Sequence, residues 1–186
     1  MTLSIKNMVC PRCVSSVRGI LTSMGLEPSE VGLGYAVIPA ESLTPAQQHH
    51  LSELLGKEGF ELLTDSGSIL TEKIKNLLIA YARTEGGIDL KLSAALQRDL
   101  NIPYKQLSRT FSIAENRTIE NFFIAQKIEF VKELLSYNKL SLKEIAFLTG
   151  YSSVAYLSSQ FSKFTGMTLS DFRRSLAHNR MPLTDI

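Results

Sequence analysis

The chain repeats a short pattern after 50 residues, and this repeat constrains the fold more than any other feature of its sequence. LSRTFS occupies 107–112 and LSSQFS occupies 157–162. The same offset pairs Leu92 with Leu142, Asn116 with Gly166, Thr118 with Thr168, and Phe122 with Phe172. Self-similarity at a fixed spacing predicts two structural units of the same kind in the second half of the chain.

The second copy has the pattern of two short helices separated by a turn. In SLKEIAFLTG, Ser141 and Glu144 have the spacing of a capping box, and Gly150 ends the helix. The following helix, SSVAYLSSQFSKFTG, is expected to turn Leu157, Phe161 and Phe164 inward. Its other faces carry Ser152, Ser153, Tyr156, Ser159, Gln160 and Lys163. A short helix, a glycine-containing turn and a second helix with a polar outer face are typical of a helix-turn-helix unit.

The first copy predicts a second helix-turn-helix unit with a more basic outer face. In LKLSAALQRDLN and IPYKQLSRTFSIAEN, three side chains are expected to face inward: Leu107, Phe111 and Ala114. Three others are expected to face outward: Lys105, Gln106 and Arg109. TIENFFIAQKIEFVKELLSYN then predicts one connecting helix that spans roughly 30 Å. Because successive major-groove faces of DNA lie about 34 Å apart, such a connector suits contact with two adjacent grooves.

The first 65 residues predict a different architecture. TLSIKN alternates as a strand does, VSSVRGILTSMG has one apolar helical face, and EVGLGYAVIPA suggests two short strands. Thr44 and Pro45 open a second helix expected to bury Leu51, Leu54 and Leu55, and GFELLTD closes as a strand. The order β-α-β-β-α-β is that of a ferredoxin-like fold. The whole chain is therefore predicted to be α+β, with a ferredoxin-like domain followed by an all-α domain.

The two cysteines of the chain, Cys10 and Cys13, lie in the sequence MVCPRC. Thiolates are soft ligands that select Cu(I) or Zn(II). Cys13 is expected at or near the start of the helix, where the helix dipole lowers a thiol's pKa. Two thiolates cannot complete the four-ligand shell of structural zinc. A redox pair, or two thiols that bind nothing, remain alternatives. Met8 is expected in the core, and the adjacent His49 and His50 on the surface, because neighbouring helical residues point in different directions.

Charge is distributed unevenly along the chain. Residues 1–67 carry four Lys and Arg against seven Asp and Glu, whereas residues 68–186 carry sixteen against eleven. A basic second half suggests nucleic acid as its partner, although solvated surface explains a difference of this size equally well. There is no apolar run of about 20 residues and no signal-peptide pattern, so a cytoplasmic protein without membrane contact is expected. No catalytic constellation is apparent, and no enzymatic activity is expected.

The helical half resembles the DNA-binding domain of AraC/XylS transcription regulators, through KIEFVKELLSYNKLSLKEIAFLTGYSSVAYLSSQFSKFTGMTLSDFR. Leu169 departs from the family's usual proline, which suggests a looser turn, and Asn116 departs from its usual glycine. The resemblance implies double-stranded DNA as the partner. It places DNA contacts at Lys105, Gln106, Arg109, Ser152, Ser153, Val154, Ser158 and Lys163. Solvated helix surface is the alternative for these side chains.

The N-terminal segment IKNMVCPRCVSSV resembles the heavy-metal-associated domain of copper chaperones and copper pumps. The Met-x-Cys-x-x-Cys pattern falls on Met8, Cys10 and Cys13. The resemblance implies Cu(I) binding by Cys10 and Cys13, with Zn(II) or another soft metal as the second choice. The domains are then 1–65 and 66–186, with a short linker at Asp65–Ser68 and a helix from about Ile69.

Together these features predict a metal-responsive, DNA-binding transcription regulator, compatible with a homodimer. Two other functions remain open. One is a metallochaperone-like metal buffer fused to a DNA-binding domain, and the other is a thiol redox-sensing regulator.

Overall fold

The computed structural model describes residues 1–178, with the backbone alone for 176–178. The last eight residues of the predicted 66–186 domain therefore lie outside the described residues. The chain divides into two compact units, Met1–Asn76 and Leu77–Ile186. No helix among the described residues has the length and apolarity that a membrane crossing requires.

The first unit contains a four-stranded sheet and two helices in the predicted order. Its elements are β1 (Thr2–Lys6), α1 (Pro11–Ser23), β2 (Glu30–Gly32), β3 (Tyr35–Val37), α2 (Pro45–Lys57) and β4 (Glu61–Leu63). The strands lie in the order β2-β3-β1-β4, and each neighbouring pair is antiparallel. Leu3 pairs with Ala36, and Ile5 pairs with Leu62. The central strand β1 is thus hydrogen-bonded on both sides.

Helix α2 begins where the sequence predicts, whereas α1 begins at Pro11, within the segment predicted as a cysteine loop. Thr44 caps α2 through a capping box with Gln47, and Pro45 is the first helical residue. Leu51 and Leu55 are buried in the core beside β1, but Leu54 is only partly buried, contrary to the prediction. Positions i, i+3 and i+4 share one helical face, so Leu54 lies at the edge of the buried face rather than on the opposite side of the helix.

Helix α3 spans Ser66–Ala82 and starts earlier than predicted. The Oδ1 atom of Asp65 accepts the backbone N–H of Ser68 at 2.8 Å, so the carboxylate satisfies a free donor of the first turn. The predicted linker at Asp65–Ser68 is therefore wrong, since this segment is the start of the helix. The division between the two compact units falls at Asn76 and Leu77, within α3, whereas the sequence suggested residue 65.

Beyond α3, the second compact unit of the chain contains two helix-turn-helix units and a helix that connects them. Its further elements are α4 (Leu92–Leu100), α5 (Tyr104–Glu115), α6 (Ile119–Tyr137), α7 (Leu142–Leu148), α8 (Val154–Thr165) and α9 (Leu169–His178). Helices α4 and α5 form the first helix-turn-helix unit, α7 and α8 form the second, and α6 connects the two. With 19 residues, α6 is about 28 Å long at 1.5 Å per residue.

The 50-residue repeat is also a repeat of packing contacts. Asn116 ends α5 and Gly166 ends α8, and both adopt the left-handed conformation. The ring of Phe111 meets that of Phe122 edge-to-face at 5.5 Å between centroids. Phe161 meets Phe172 in the same way, also at 5.5 Å. Each second helix is therefore fastened to the helix that follows it by the same aromatic contact.

Two predicted inward positions are wrong, and they are equivalent in the repeat. Phe164 is 46% exposed and Ala114 is exposed, although Phe161 and Phe111 one turn earlier are buried. Both positions lie in the last helical turn before the left-handed cap, where the helix extends beyond the side chains it packs on. Leu169, expected to loosen the following turn, is instead 2% exposed and belongs to the core cluster.

Two glycines form a close backbone contact within the helical unit. The N–H of Gly86 donates to the carbonyl of Leu148 at 3.2 Å, so the loop after α3 lies against the end of α7. A methyl group on Gly150 would lie 2.7 Å from the Cα of Gly87. Gly150 also has a φ of +65°, which L side chains rarely adopt.

Substitution of Gly150 by alanine should therefore destabilise the protein more than the same change at Gly166. Gly166 has a φ of +74° but no atom within 4 Å of the added methyl, so Gly166→Ala should cost about 1 kcal/mol. Gly150→Ala adds a backbone clash, which should cost roughly a further 1–3 kcal/mol. Urea unfolding of the helical unit measures both, and equal losses would contradict the proposed glycine contact.

Candidate nucleic-acid interface and thiol loop

The two thiols lie together at the start of α1. Asn7 follows β1 with a φ of +72° and turns the chain into the loop. Cys10 is the N-cap residue, Pro11 is the first helical residue and Cys13 lies in the first turn. The Sγ atoms of Cys10 and Cys13 are 3.2 Å apart, and both residues are partly exposed. The sequence correctly placed Cys13 at the start of this helix, whereas the cap position of Cys10 was not predicted.

The helix start stabilises a thiolate at Cys10. The backbone N–H of Cys13 has the largest effect in lowering the pKa of the Cys10 thiol, followed by the hydrogen bond from the Cys13 thiol. The guanidinium of Arg12 lowers the same pKa slightly. Free N–H groups of a helix N-terminus favour negative charge, and a thiolate is the form that binds metals and reacts.

The residues near the thiols lie as expected. Met8 is 1% exposed and belongs to the core of the first unit, so it packs below the loop. His49 and His50 are exposed on α2, where both approach Glu53. Among residues 1–178, no group of three or more His, Cys, Asp and Glu side chains converges as a metal site would require. The candidate donor set is therefore the two thiols.

Helix α5 presents a basic face to solvent. Lys105, Gln106 and Arg109 are all exposed, whereas Leu107 and Phe111 are buried on the opposite side. The side chain of Gln97, on α4, accepts the backbone N–H of Tyr104 at 2.8 Å and so satisfies the start of α5. The sequence assigned these three outward residues correctly as a surface.

Helix α8 presents a different surface. Ser152 and Ser153 are exposed before it, and the hydroxyl of Ser153 accepts the backbone N–H of Tyr156 at 3.1 Å as an N-cap. Val154 and Ser158 are only partly exposed, and Val154 contacts the core cluster. Lys163 is exposed in the last turn. The predicted contact residues thus form less of a continuous face here than on α5.

The repeat locates exposed residues of α8 that the site prediction omitted. The positions equivalent to Lys105, Gln106 and Arg109 are Ala155, Tyr156 and Ser159, and all three are exposed. The prediction for this helix favoured residues around its N-terminus instead. Transfer of the outward positions by the 50-residue offset would have found these three from the sequence alone.

Tyr156 rests on a supported aromatic ring. Its ring meets that of Tyr151 edge-to-face at 5.6 Å. The hydroxyl of Tyr151 donates to Oε1 of Gln160 at 2.6 Å, and the Nζ of Lys127 lies 3.9 Å from the centre of the Tyr151 ring. Burial lowers the pKa of Lys127 to about 8, while the ring face favours its charged form. Tyr151 is therefore fixed from two sides below the exposed end of α8.

Polar contacts tie the basic helix-turn-helix unit to its neighbours. The hydroxyl of Tyr104 donates to Glu120 on α6, which lowers the pKa of that carboxyl. The hydroxyl of Tyr81 donates to Oδ2 of Asp99 at 2.6 Å. Together with the adjacent Arg98, this bond lowers the pKa of Asp99 to about 2. These contacts hold α5 and α4 in place without using the outward residues.

Comparison with known proteins identifies the helical unit. Residues 96–175 match the family model described as a helix-turn-helix domain. Over 104 residues, the chain is 31% identical to the xylose operon regulatory protein of Haemophilus influenzae. This alignment covers 56% of the chain but only 27% of that relative, so the chain spans about a quarter of the length of the relative.

Solved structures share the same helical fold. One is the C-terminal domain of AraT, a response regulator from Geobacillus stearothermophilus, with a TM-score of 0.53 and 23% identity over 63% of this chain and 91% of that one. Another is a transcriptional regulator with an AraC-type DNA-binding domain from Chromobacterium violaceum. It has a TM-score of 0.54 and 18% identity over 62% of this chain and 100% of that one. The named relatives are regulators rather than enzymes. Residues 96–175 of this chain match a helix-turn-helix domain, and the helical unit shares the fold of these DNA-binding domains.

Proposed function

We propose that the protein is a transcription regulator that binds a specific DNA operator through α5 and α8. The exposed, basic outer face of α5 is the observation that carries this proposal. Lys and Arg suit both phosphates and guanine edges, and the N-terminal part of a second helix is the part that enters the groove. The connector α6, about 28 Å long, suits two adjacent major grooves on one side of the duplex.

The N-terminal unit acts in this proposal as a sensor of the ferredoxin-like, heavy-metal-associated type. The β-α-β-β-α-β order and the antiparallel strand order β2-β3-β1-β4 support that assignment. The thiol pair at the start of α1 supports it independently. Cys10 and Cys13 would hold one soft ion, with Cu(I) as the first choice and Zn(II) as the second.

The donor set fits a soft monovalent ion better than zinc. Two partly exposed thiols, one with a lowered pKa, provide two soft ligands and an open path to them. The described residues offer no further ligands to complete a zinc shell at this loop. A second copy of the chain would supply two more thiols, so a homodimer that shares one ion is part of the proposal.

A sensor also requires that metal binding favours one arrangement of the protein, because a ligand shifts an equilibrium only by its differential affinity for two states. Helix α3 is a candidate for the responding element. Its residues up to Asn76 belong to the first unit, and Asn76 donates to the carbonyl of Leu33 at 3.4 Å. Beyond it, Arg83 forms an ion pair with Glu133 of α6 at 2.6 Å.

The thiol pair also supports a second candidate function, a redox-sensing regulator. A lowered pKa at Cys10 and a sulfur separation of 3.2 Å both favour disulfide formation after oxidation. In a third candidate, the thiols buffer metal without any effect on DNA. These functions differ in what changes DNA affinity: metal, oxidant or neither.

The first prediction of this proposal concerns the reactivity of the Cys10 thiol. Its alkylation by iodoacetamide should reach half-maximal rate below the ordinary pKa of a thiol, because the thiolate is stabilised. Cys13→Ala removes the thiol donor but keeps the backbone N–H, so the midpoint should move only part of the way back. Mass spectrometry of the Cys10 peptide across a pH series measures both midpoints, and identical values would exclude a contribution from the Cys13 thiol.

The second prediction concerns DNA contacts. Arg109→Ala should weaken operator binding by about 1–3 kcal/mol and relax the preference at one base pair. Lys163→Ala should weaken all sequences alike and reduce the salt slope by about one unit. Arg18→Ala, which removes the same charge from α1, is the matched control and should change neither. Unchanged site preference in Arg109→Ala would exclude α5 as a base-contacting helix.

The third prediction tests the sensor. Cu(I) should change the operator affinity of the full chain about 5–150-fold, the usual range of allosteric coupling, and operator DNA should change Cu(I) affinity by the same factor. Replacement of both Cys10 and Cys13 by serine should abolish tight Cu(I) binding and this response. His49→Ala with His50→Ala is the matched control and should retain both.

Three alternative results would decide between the candidates. Tight Cu(I) binding without any change in DNA affinity would indicate the metal-buffer function. A response to peroxide in metal-free protein, lost in the serine variant, indicates the redox sensor. Equal Cu(I) affinity in the serine variant and the unmodified chain removes the metal proposal altogether.

A further inference from the structure

The two candidate recognition helices, α5 and α8, are equivalent in the repeat but expose chemically different side chains. At equivalent positions of the repeat, α5 exposes Lys105, Gln106 and Arg109, and α8 exposes Ala155, Tyr156 and Ser159. The first set consists of long side chains with several hydrogen-bond donors. The second set consists of a methyl group, a phenol ring with its hydroxyl and a serine hydroxyl.

The first turn of α8 is apolar and open to solvent. Val154, Ala155 and Tyr156 are its first three residues. Tyr156 is 54% exposed, Ala155 is exposed and Val154 is partly exposed. Within α8 the first charged side chain is Lys163, in the last turn. This end of the helix therefore offers base edges apolar contact and almost no charge.

Tyr156 is positioned rather than free to collapse onto the core. Side chains on a helix lean toward its N-terminus, and Tyr156 leans onto Tyr151, which directly precedes the helix start. Tyr151 is itself held by Gln160 and lies under the ammonium of Lys127. The exposed ring is thus presented at the end of α8 that would enter a groove.

One feature of a base edge matches such a surface. In the major groove, guanine, cytosine and adenine present hydrogen-bond donors and acceptors, whereas thymine adds the C5-methyl group, which pairs with alanine methyls and aromatic rings. A surface whose only donors are two hydroxyls cannot make the bidentate contact by which Arg or Lys reads guanine. It gains from the burial of a methyl group, which is worth about fourfold in affinity.

We propose that the first turn of α8 recognises thymine methyl groups through Ala155 and Tyr156, so that the operator has two chemically different half-sites. The half-site under α5 depends on guanine, and the half-site under α8 depends on thymine. This inference rests on the proposed function, because it needs a specific operator.

Base analogues test the proposal directly. An operator is first selected from random duplexes with the full chain, and each thymidine is then replaced singly by deoxyuridine, which lacks only the methyl group. Each guanosine is replaced by 7-deazaguanosine, which lacks the N7 acceptor. Deoxyuridine should weaken binding about fourfold at one or more positions of one half-site. Deazaguanosine should weaken binding when it is placed in the other half-site, and Arg109→Ala should remove that sensitivity.

Variants of α8 assign the effect to its residues. Tyr156→Ala and Ala155→Gly should each bind the operator more weakly and lose sensitivity to at least one deoxyuridine. Tyr156→Phe keeps the ring and should retain the full deoxyuridine profile. Tyr137→Ala is the matched control, since Tyr137 is a comparably exposed tyrosine, at 57%, in the last turn of α6. Its profile should be that of the unmodified chain.

The outcomes separate this inference from the function on which it rests. If no operator is selected, the proposed function fails and the inference falls with it. If an operator is selected but every thymidine tolerates deoxyuridine, the inference is overturned and the function stands. If Tyr156→Ala and Tyr156→Phe weaken all sequences equally with an unchanged profile, the tyrosine binds phosphate, and the inference is likewise overturned.

Discussion

The architecture of the helical unit depends on one aromatic contact that occurs twice. In each half, a phenylalanine of the second helix meets a phenylalanine of the next helix edge-to-face, with 5.5 Å between the rings. Two pairs make this contact, Phe111 with Phe122 and Phe161 with Phe172. They fix the rotation of α5 and of α8 about their own axes. Because the buried side is fixed, the outward side is fixed as well, and its residues can vary without a change in the fold.

That separation of core from surface explains how one repeat supports two chemically different surfaces. The apolar positions of α5 and α8 are equivalent and buried, as Leu107 and Leu157 illustrate. The residues at the outward positions differ: Arg109 of α5, for example, corresponds to Ser159 of α8. Side chains that face water cost little to exchange, because they contribute few packing contacts. The two copies of the repeat thus share one core pattern and carry different surfaces.

The thiol loop shows how a local backbone arrangement determines chemistry. Cys10 gains its lowered pKa chiefly from a backbone N–H at a helix start, with a smaller effect from Arg12. Such N–H donors exist at every helix N-terminus, and here a cysteine occupies the cap position beside them, with proline as the first helical residue. The same stabilisation of a thiolate favours metal binding and oxidation, so the two candidate sensor functions share one physical origin.

Sequence reasoning determined the parts of this protein that depend on local pattern. Local spacings predicted the element order, the N-cap at Thr44, the capping box at Ser141, Cys13 near a helix start and the outward residues of α5. Tertiary structure decided what depends on where an element ends relative to its neighbours. Phe164 has the periodicity of a core residue but lies in a turn that extends beyond the core, and it is exposed. The support of Tyr156 by Tyr151 and Lys127 joins α8 to the middle of α6. No periodicity encodes such a contact, because it arises only when helices distant in sequence pack together.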